Sequence, residues 1–372
     1  MRIPKDLEDR QISRVNDSLH FNSIIPRMEA VIVNSLPRGH RHCVALAIMI
    51  VSVCLFSVFC GCYPSDMDAN LDSTSADNAG SIAPLDPSSG SHTPLVGRQA
   101  IIVGSFNIQT FGRGKMSKSE VVSVLVDIAR RFDILAIQEL RDVQQETIPE
   151  FLRLINQNGS HYRAAISQRI GYTDVASNKR FEEQLVYLYD SDQVEIIGQP
   201  YVAQDRYALM HRPPYVAHFR CRVDPRQQAF SCVLMNVHVD PDDTVAEFTA
   251  LQDIIHSIFP NHPGEDDFIL LGDMNAEASK FSRFRWLTDQ FATIPPHWKT
   301  NTRQKESYDN ITFDARRTAE FLNQAGVMNL MQEYNLSREA AIQVSDHMPI
   351  WAVFASHEFV PAELTQEQQL LR

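Results

Sequence analysis

Four short apolar runs in this chain share one layout, in which each run is closed by a residue that can bind a metal ion or move a proton. Apolar runs of this length bounded by polar residues are typical of buried strands. Strands that end alike can place their terminal side chains along one sheet edge, so the pattern predicts a cleft lined by carboxylates, amides and imidazoles. The runs, each with its closing residue, are 101–106 with Asn107, 134–138 with Glu139, 232–237 with His238 and 268–272 with Asp273.

Helical patterns lie between these predicted strands. Ser117 and Glu120 predict a capping box at the start of a helix over 117–132. A second helix is predicted over 244–259, and between 162 and 237 strands follow one another with little helix. The predicted buried face of the second helix contains Val245, Phe248, Leu251, Ile255 and Ile258. Mixed strands with helices between them predict an α+β fold of two stacked sheets with helices outside.

The composition is that of a globular protein with an acidic surface. The chain has 372 residues, of which 44% are hydrophobic, and its formal net charge is −12. From residue 98 onward, 27 basic side chains face 36 acidic ones, a formal charge of −9. The overall field of a domain with this charge disfavours a polyanion, so binding of nucleic acid would need a local basic patch and help from a metal ion.

Residues 43–59 form an uninterrupted apolar stretch that predicts a segment for export or membrane attachment. Basic and histidine side chains precede it, and the sequence CGCYPSD follows it. With Gly61 before Cys62, this end resembles a bacterial lipoprotein signal. The length also permits an uncleaved membrane helix or an ordinary cleaved signal. All three alternatives place the rest of the protein outside the cytoplasm, either anchored to a membrane or secreted.

Three segments are predicted along the chain. Residues 1–62 contain an amino-terminal extension and the signal or membrane segment, and residues 63–97 are rich in Ser, Asp, Pro and small residues. With almost nothing to bury, 63–97 is typical of a disordered linker. Residues 98–372 show no repeat and no second linker, so we expect one catalytic domain there.

Cys221 and Cys232 are the two cysteines of the predicted domain. They lie symmetrically about a predicted turn at 224–228, where they could face each other across a hairpin. A disulfide and two reduced core cysteines both fit the spacing. Neither alternative makes them zinc ligands or catalytic residues.

The polar residues at the strand ends suit the chemistry of a phosphate ester. Carboxylate and amide oxygens are the ligands that hard divalent ions such as Mg²⁺ prefer, and Mn²⁺ fits the same set. Two histidines beside carboxylates, His238 and His347, are candidates for general acid and general base. The predicted oxygen ligands are Asn107, Glu139, Asp273, Asn275 and Asp346.

Each of these residues alone has an ordinary structural explanation, but they recur in order inside longer motifs. The motifs are FNIQTFGRGKMS, IQELRD, RFEEQLVYLY, NVHVDPDDTVAE, LLGDMNAE, SYDNI and SDHMPI. Together they resemble the deoxyribonuclease I branch of the endonuclease/exonuclease/phosphatase superfamily over residues 100–355. The GD-N and SDH motifs are shared across that superfamily, whereas the KMS, QELRD and VAE elements are more particular to the deoxyribonuclease I branch.

This resemblance implies a four-layer αββα sandwich and metal-dependent hydrolysis of DNA phosphodiester bonds. In it, Glu139 is the main metal ligand, with Asn107, Asp273 and Asp346 nearby. The resemblance further implies that Glu183 orients His238, that Asp309 orients His347, and that Asn275 donates to the phosphate. Arg141 and Arg212 would bind flanking phosphates. One departure is Gln109, which replaces an arginine that contacts DNA, and a second is Phe181, which replaces a tyrosine.

A rival function uses the same site on another phosphoester, such as a phospholipid or an inositol phosphate. Membrane attachment favours this rival, whereas the KMS, QELRD and VAE elements favour a nuclease. A catalytically inactive binding lipoprotein is disfavoured by the full set of site residues. The expected partners are sequence-tolerant DNA and a membrane, with no obligate protein partner.

Overall fold

The four apolar runs form strands, and each strand reaches or passes its predicted closing residue. The computed structural model of the chain describes residues 99–174, 179–180, 182–283 and 290–359. All of them belong to one compact unit, Pro84–Arg372. The predicted signal segment, the linker and Phe181 lie outside the described residues.

Two six-stranded sheets form the centre of the molecule. The first contains β1 (Ala100–Phe111), β2 (Ile134–Leu140), β3 (Tyr162–Ile166), β6 (Gln184–Asp190), β13 (Phe321–Val327) and β14 (Ile350–Ala355), in the order β13-β14-β1-β2-β6-β3. The second contains β7 (Val194–Val202), β8 (Tyr215–Cys221), β9 (Ser231–His238), β10 (Phe268–Asp273), β11 (Phe291–Ala292) and β12 (Asp309–Phe313), in the order β11-β12-β10-β9-β8-β7. A separate two-stranded sheet pairs β4 (Thr173–Asp174) with β5 (Lys179–Arg180).

Each large sheet is mixed and contains one parallel pair. These pairs are β1 with β2 in the first sheet and β9 with β10 in the second, and the other strand pairs are antiparallel. The register aligns Asn107 with Gln138 and Asp273 with His238. The closing residues of β9 and β10 therefore lie side by side, whereas Asn107 lies beside the residue that precedes Glu139.

Helices cover the outer faces of both sheets. They are α1 (Arg113–Met116), α2 (Ser119–Ala129), α3 (Thr147–Ile155), α4 (Thr244–Ile258), α5 (Leu330–Glu333) and α6 (Arg338–Val344). Short 3₁₀ turns occur at Asn156–Asn158, Arg226–Gln228, Phe259–Asn261 and Ala278–Arg283.

The apolar clusters confirm the four-layer αββα sandwich. One cluster fills the space between the sheets, a second lies between the first sheet and α2, α3 and α6, and a third lies between the second sheet and α4. In β2, Ile134 and Ala136 belong to the central cluster, whereas Leu135 and Ile137 belong to an outer one. Successive side chains of a strand point to opposite faces, so a strand covered on both sides is apolar throughout.

Two helix predictions need correction in detail. The capping box at Ser117 is wrong, because Ser117 ends α1 and its hydroxyl donates to the carbonyl of Gly114. The helix begins at Ser119, with Lys118 before it. The second helix lies where predicted, but Val245 is 68% exposed, whereas the other predicted core residues of that helix are buried.

Cys221 and Cys232 are both buried in the central cluster as free thiols. The register of β8 and β9 pairs Cys232 with Phe219, so the two cysteines are diagonal neighbours rather than direct partners. Of the two alternatives, the structure has the reduced pair. Burial raises the pKa of the Cys221 thiol far above its usual value, which suits inert core residues.

Within the described residues, no helix is long and apolar enough to cross a membrane. The apolar stretch at 43–59 lies outside these residues, so export and membrane attachment stay predictions from the sequence.

Candidate functional site

The two predicted catalytic histidines meet at one carboxylate. Nε2 of His238 lies 3.7 Å from Oδ2 of Asp273, and Nε2 of His347 lies 3.5 Å from the same oxygen. His238 ends β9 and Asp273 ends the parallel neighbour β10, whereas His347 lies in the loop before β14. The convergence that the sequence predicts is therefore present.

Glu183 holds the ring of His238 from its other nitrogen. Nδ1 of His238 lies 2.8 Å from Oε1 of Glu183, a carboxylate with no exposed surface. Burial alone would raise the pKa of Glu183, but the positive charge and hydrogen bond of His238 outweigh it and leave the pKa lowered. The same pairing raises the pKa of His238 against the opposing effect of burial. An ionised carboxylate accepts only, so Nδ1 donates and Nε2 is presented to the cleft.

Asp309 holds the ring of His347 in the same way. Nδ1 of His347 lies 2.9 Å from Oδ2 of Asp309, the first residue of β12. Burial would lower the pKa of His347, but the negative charges of Asp309 and Asp273 raise it to about 10. Burial and the charge of Asp273 raise the pKa of Asp309, against the opposing charge of His347. Both imidazoles are thus biased towards the protonated form by fixed carboxylates.

Glu139 and Asn107 form the oxygen-rich side of the cleft. Nδ2 of Asn107 lies 3.0 Å from Oδ2 of Asp273 and 3.4 Å from Oε1 of Glu139. Glu139 has a positive φ of 64°, and the backbone amide of Thr110 donates to its Oε2 at 2.9 Å. Residues other than glycine rarely adopt a positive φ, and those that do cluster at functional sites.

The donor set of this cleft fits a hard divalent cation. Oδ1 of Asn107 is buried and accepts no hydrogen bond from the described residues. Buried carbonyl oxygens normally accept a hydrogen bond. This acceptor without a partner, next to the carboxylates of Glu139 and Asp273, is where a hard divalent cation would bind. In the same cleft, Asp273, Asp309 and His347 have ligand atoms within 4.8 Å of one another.

Gly272 allows β10 to approach β9 at the site. Its φ is +146°, and a Cβ at this position would lie 2.0 Å from the carbonyl oxygen of Val237. Only glycine fits this close approach. Gly272 directly precedes Asp273 in β10, so the backbone position of the shared carboxylate depends on this glycine.

Asn275 follows Asp273 in a tight turn. Its φ is +47°, its backbone amide donates to Oδ1 of Asp273 at 3.0 Å, and Nδ2 donates to the carbonyl of Val239 at 2.7 Å. One hydrogen of the side-chain amide is thus used within the protein. The second hydrogen of Nδ2 is the one that the predicted phosphate contact would use.

Asp346 is held at the side of the cleft through contacts that the sequence did not predict. Nε2 of Gln109 donates to Oδ2 of Asp346 at 2.8 Å, and the hydroxyl of Ser345 donates to the carbonyl of Asn107 at 2.7 Å. No hydrogen bond joins Asp346 to Glu139 or Asn107 among the residues that the structure describes. Ser345 directly precedes Asp346 and His347, and its place in the SDHMP motif is the sequence signal that could have marked it as a site residue.

The two predicted phosphate-binding arginines differ in accessibility. Nη2 of Arg141 lies 3.2 Å from Oε2 of Glu139, and the side chain is partly exposed at the cleft. Arg212 is buried, its Nε donates to the carbonyl of His238 at 2.9 Å, and its Nη2 lies 3.6 Å from Asp240. Arg141 is therefore placed to meet a phosphate directly, whereas Arg212 supports the end of β9 from within.

Comparisons with known proteins agree with this geometry. The model of the Endonuclease/Exonuclease/phosphatase family matches residues 104–325. The chain is 29% identical over 269 residues to Deoxyribonuclease-1-like 1 from Cricetulus griseus, which covers 68% of this chain and 84% of the relative. It is 29% identical over 275 residues to Deoxyribonuclease-1 from Homo sapiens, which covers 69% of this chain and 93% of the relative.

Among solved structures, an endonuclease/exonuclease/phosphatase family protein from Bacteroides thetaiotaomicron aligns with a TM-score of 0.47 and 14% identity. The alignment covers 70% of this chain and 98% of the other.

Proposed function

The chain belongs to the endonuclease/exonuclease/phosphatase family as a deoxyribonuclease I-like phosphodiester hydrolase, and from this premise we propose that it cleaves DNA by metal-assisted general acid–base catalysis. One observation carries the proposal. Two imidazoles, each fixed by its own buried carboxylate, present Nε2 to the same oxygen of Asp273 beside Glu139 and Asn107. In such a pair, one imidazole can take a proton from the attacking water and the other can protonate the leaving oxygen.

The proton transfers are assigned to the chain's own residues. As the water oxygen bonds to phosphorus, one imidazole Nε2 takes the water proton, and the other imidazole gives its proton to the leaving sugar oxygen. Glu183 and Asp309 stabilise the protonated rings and fix their tautomers. Hydrogen-bond donors of Asn275 and Arg141 would offset the charge that develops on the phosphoryl oxygens.

Glu139 and Asn107 would hold the divalent cation, which we propose to be Mg²⁺ or Mn²⁺. When bound, it would stabilise negative charge on the phosphate and orient the scissile bond. The all-oxygen donor set and the orphaned Oδ1 of Asn107 support this choice.

A basic groove beside the site supports DNA as the substrate. The groove is lined by Gln109, Arg113, Lys115, Lys118 and Arg141, together with Asp142 and uncharged residues, and Arg141 contacts Glu139. It supplies the local positive patch that the overall charge of the domain does not. The two relatives described above, Deoxyribonuclease-1-like 1 and Deoxyribonuclease-1, also favour DNA over a phospholipid or an inositol phosphate.

We further propose that this domain works outside the cytoplasm, tethered by the segment at 43–59 or released from it. The apolar stretch, the following cysteine and the polar linker support this localisation.

The test is nicking of supercoiled plasmid by the full chain, run beside hydrolysis of sphingomyelin and inositol phosphate. We expect nicking that a chelator abolishes and that Mg²⁺ or Mn²⁺ restores. Glu139→Gln should lower nicking by about 10²-fold or more, because it weakens the proposed cation site, whereas the exposed Glu150→Gln should not. Hydrolysis of a lipid or inositol substrate without nicking would contradict DNA as the substrate, and full activity in chelator would contradict the metal.

A further inference from the structure

A second group of carboxylates lies at the opposite edge of the sandwich. Asp267 precedes β10, Glu320 precedes β13 and Glu358 follows β14. Each offers an oxygen, and these oxygens all lie within 4.8 Å of one another. Asp267 precedes β10 and Asp273 is its last residue, so the two groups are about 20 Å apart at the usual rise per residue. We call Asp267, Glu320 and Glu358 the basal carboxylate cluster.

The basal carboxylate cluster is buried and has acceptors without partners. Asp267 is 2% exposed and Glu320 is 3% exposed. Within the described part of the chain, Oδ1 of Asp267 and Oε2 of Glu320 have no hydrogen-bond partner. The hydroxyl of Thr318 lies near Asp267 and favours its charged form, yet it completes no hydrogen bond of normal geometry. Buried acceptors left open in this way are rare in native proteins.

Backbone amides fix two of the carboxylates, each through one oxygen. The amide of Phe359 donates to Oε1 of Glu320 at 2.9 Å, and the amide of Ser231 donates to Oε1 of Glu358 at 2.9 Å. Each side chain is therefore oriented before any ligand arrives. Preorganisation of this kind lowers the free-energy cost of binding.

The surrounding charges make the cluster electrostatically unfavourable by itself. Burial and the charge of Glu320 raise the pKa of Asp267 to about 9, and burial raises the pKa of Glu358 to about 7. Among the described residues, no lysine, arginine or histidine forms an ion pair with the three carboxylates. The nearest other acidic side chains are Glu265, which pairs with His218, and the exposed Asp266.

We propose that the basal carboxylate cluster binds a hard divalent cation of the Ca²⁺ type. Three carboxylates with free oxygens match the oxygen preference of such an ion. Asp267 belongs to the second sheet, whereas Glu320 and Glu358 belong to the first, so the cation links the two sheets at the edge away from catalysis. Its role is structural, and it is independent of the cation proposed at Glu139.

The competing account is that the carboxylates share protons. The carboxyls of Glu320 and Glu358 are close enough to share a hydrogen bond, which would satisfy part of the group without a metal. Under that account, added cation leaves stability unchanged.

The experiment measures the melting temperature of chelator-treated, full-length protein as CaCl₂ is added, with MgCl₂ as a second probe. Glu139→Gln serves as the background, because it weakens binding at the catalytic site. We expect a saturable rise of several degrees, which corresponds to about 1 kcal/mol or more for a domain of this size. Asp267→Asn or Glu320→Gln in the same background should abolish the rise, whereas Glu150→Gln, at an exposed carboxylate outside the basal carboxylate cluster, should retain it.

Calorimetric titration provides the second measurement. Binding stoichiometry for CaCl₂ should fall by one in Asp267→Asn relative to Glu150→Gln. If a buried variant fails to fold, the half-buried Glu358→Gln decides, because it removes one ligand with less disturbance of the core. An unchanged melting temperature on adding either cation, or an equal rise with and without Asp267, overturns the proposal.

Discussion

Asp273 gives the two imidazoles a common neighbour. Its Oδ2 lies within 3.7 Å of Nε2 of His238 and of His347, and Nδ2 of Asn107 donates to the same oxygen. Two protonated rings at this separation would repel each other if no negative charge lay between them. The shared carboxylate therefore makes it possible for one ring to hold a proton while the other exchanges one.

Removal of either imidazole should nearly abolish hydrolysis. His238→Ala and His347→Ala should each lower kcat on plasmid DNA by about 10²-fold or more, because general acid–base catalysis contributes roughly 10² to 10⁴. His161→Ala is the matched control, since His161 also pairs with an aspartate but is exposed and outside the cleft. A variant of either cleft histidine with near-normal turnover would contradict the assignment.

Glu183→Gln should move one limb of the pH profile to lower pH. The charge of Glu183 raises the pKa of His238, so a neutral amide lets the ring lose its proton at lower pH. If His238 is the base, the acidic limb of kcat/KM moves down, and if it is the acid, the basic limb moves down. The adjacent Glu182→Gln, outside the cleft, should leave both limbs in place.

A profile that stays fixed in Glu183→Gln while activity falls would mean that Glu183 only supports the fold. The limb that moves identifies the role of His238, and by exclusion that of His347.

The residue types of the site were predictable because their chemistry is local. Glu183, His238, Asp309 and His347 stand in motifs whose order the chain preserves, and the structure pairs them as the resemblance implies. The bond between Gln109 and Asp346 was not predictable, because it depends on how the end of β1 lies over a loop more than 200 residues away. Sequence spacing does not specify that distance.

At the scale of elements, the strands were more predictable than the helix starts. A strand buried on both faces needs a continuous apolar run, and β2, β9 and β10 show it. The start of α2 instead depended on competition between two local arrangements. Ser117 caps the end of α1 through Gly114, so the capping box with Glu120 does not form.

Gly272→Ala should disrupt both stability and catalysis. A Cβ there would lie 2.0 Å from the carbonyl oxygen of Val237, so β10 must move away from β9 and carry Asp273 with it. We expect a loss of roughly 2 to 3 kcal/mol in the free energy of unfolding, as for other overpacked sites, together with a marked fall in kcat. Denaturant unfolding and plasmid nicking measure the two effects.

Gly159→Ala separates backbone strain from crowding. Gly159 also has a positive φ, +93°, but no atom lies within 4 Å of a Cβ at that position. It should lose about 1 kcal/mol from strain alone and keep its activity. Equal effects of the two substitutions would contradict the role assigned to the close approach.

At the scale of the whole molecule, the site is assembled across the two sheets. Glu183 lies before β6 in the first sheet and pairs with His238 of the second. Below this pair, Nε2 of the buried Gln138 donates to Oδ1 of Asn236 at 2.7 Å, and Nδ2 of Asn236 donates to carbonyls of the first sheet. Periodicity predicts each sheet but not the position of one sheet over the other, so this polar bridge was missed.

A chain that begins at residue 98 should fold and hydrolyse DNA as well as the full chain does. The buried residues of the three apolar clusters lie between Ile101 and Phe354, and all the proposed catalytic residues lie within the same limits. We expect the same melting temperature and a kcat/KM on soluble plasmid within about twofold, because the predicted linker would contribute no buried surface.

A chain that begins at residue 108 is the control, since it lacks most of β1, which lies between β14 and β2 in the first sheet. That shorter chain should not fold. Aggregation of the chain from residue 98, or a tenfold loss of its activity, would show that the preceding residues are part of the catalytic domain.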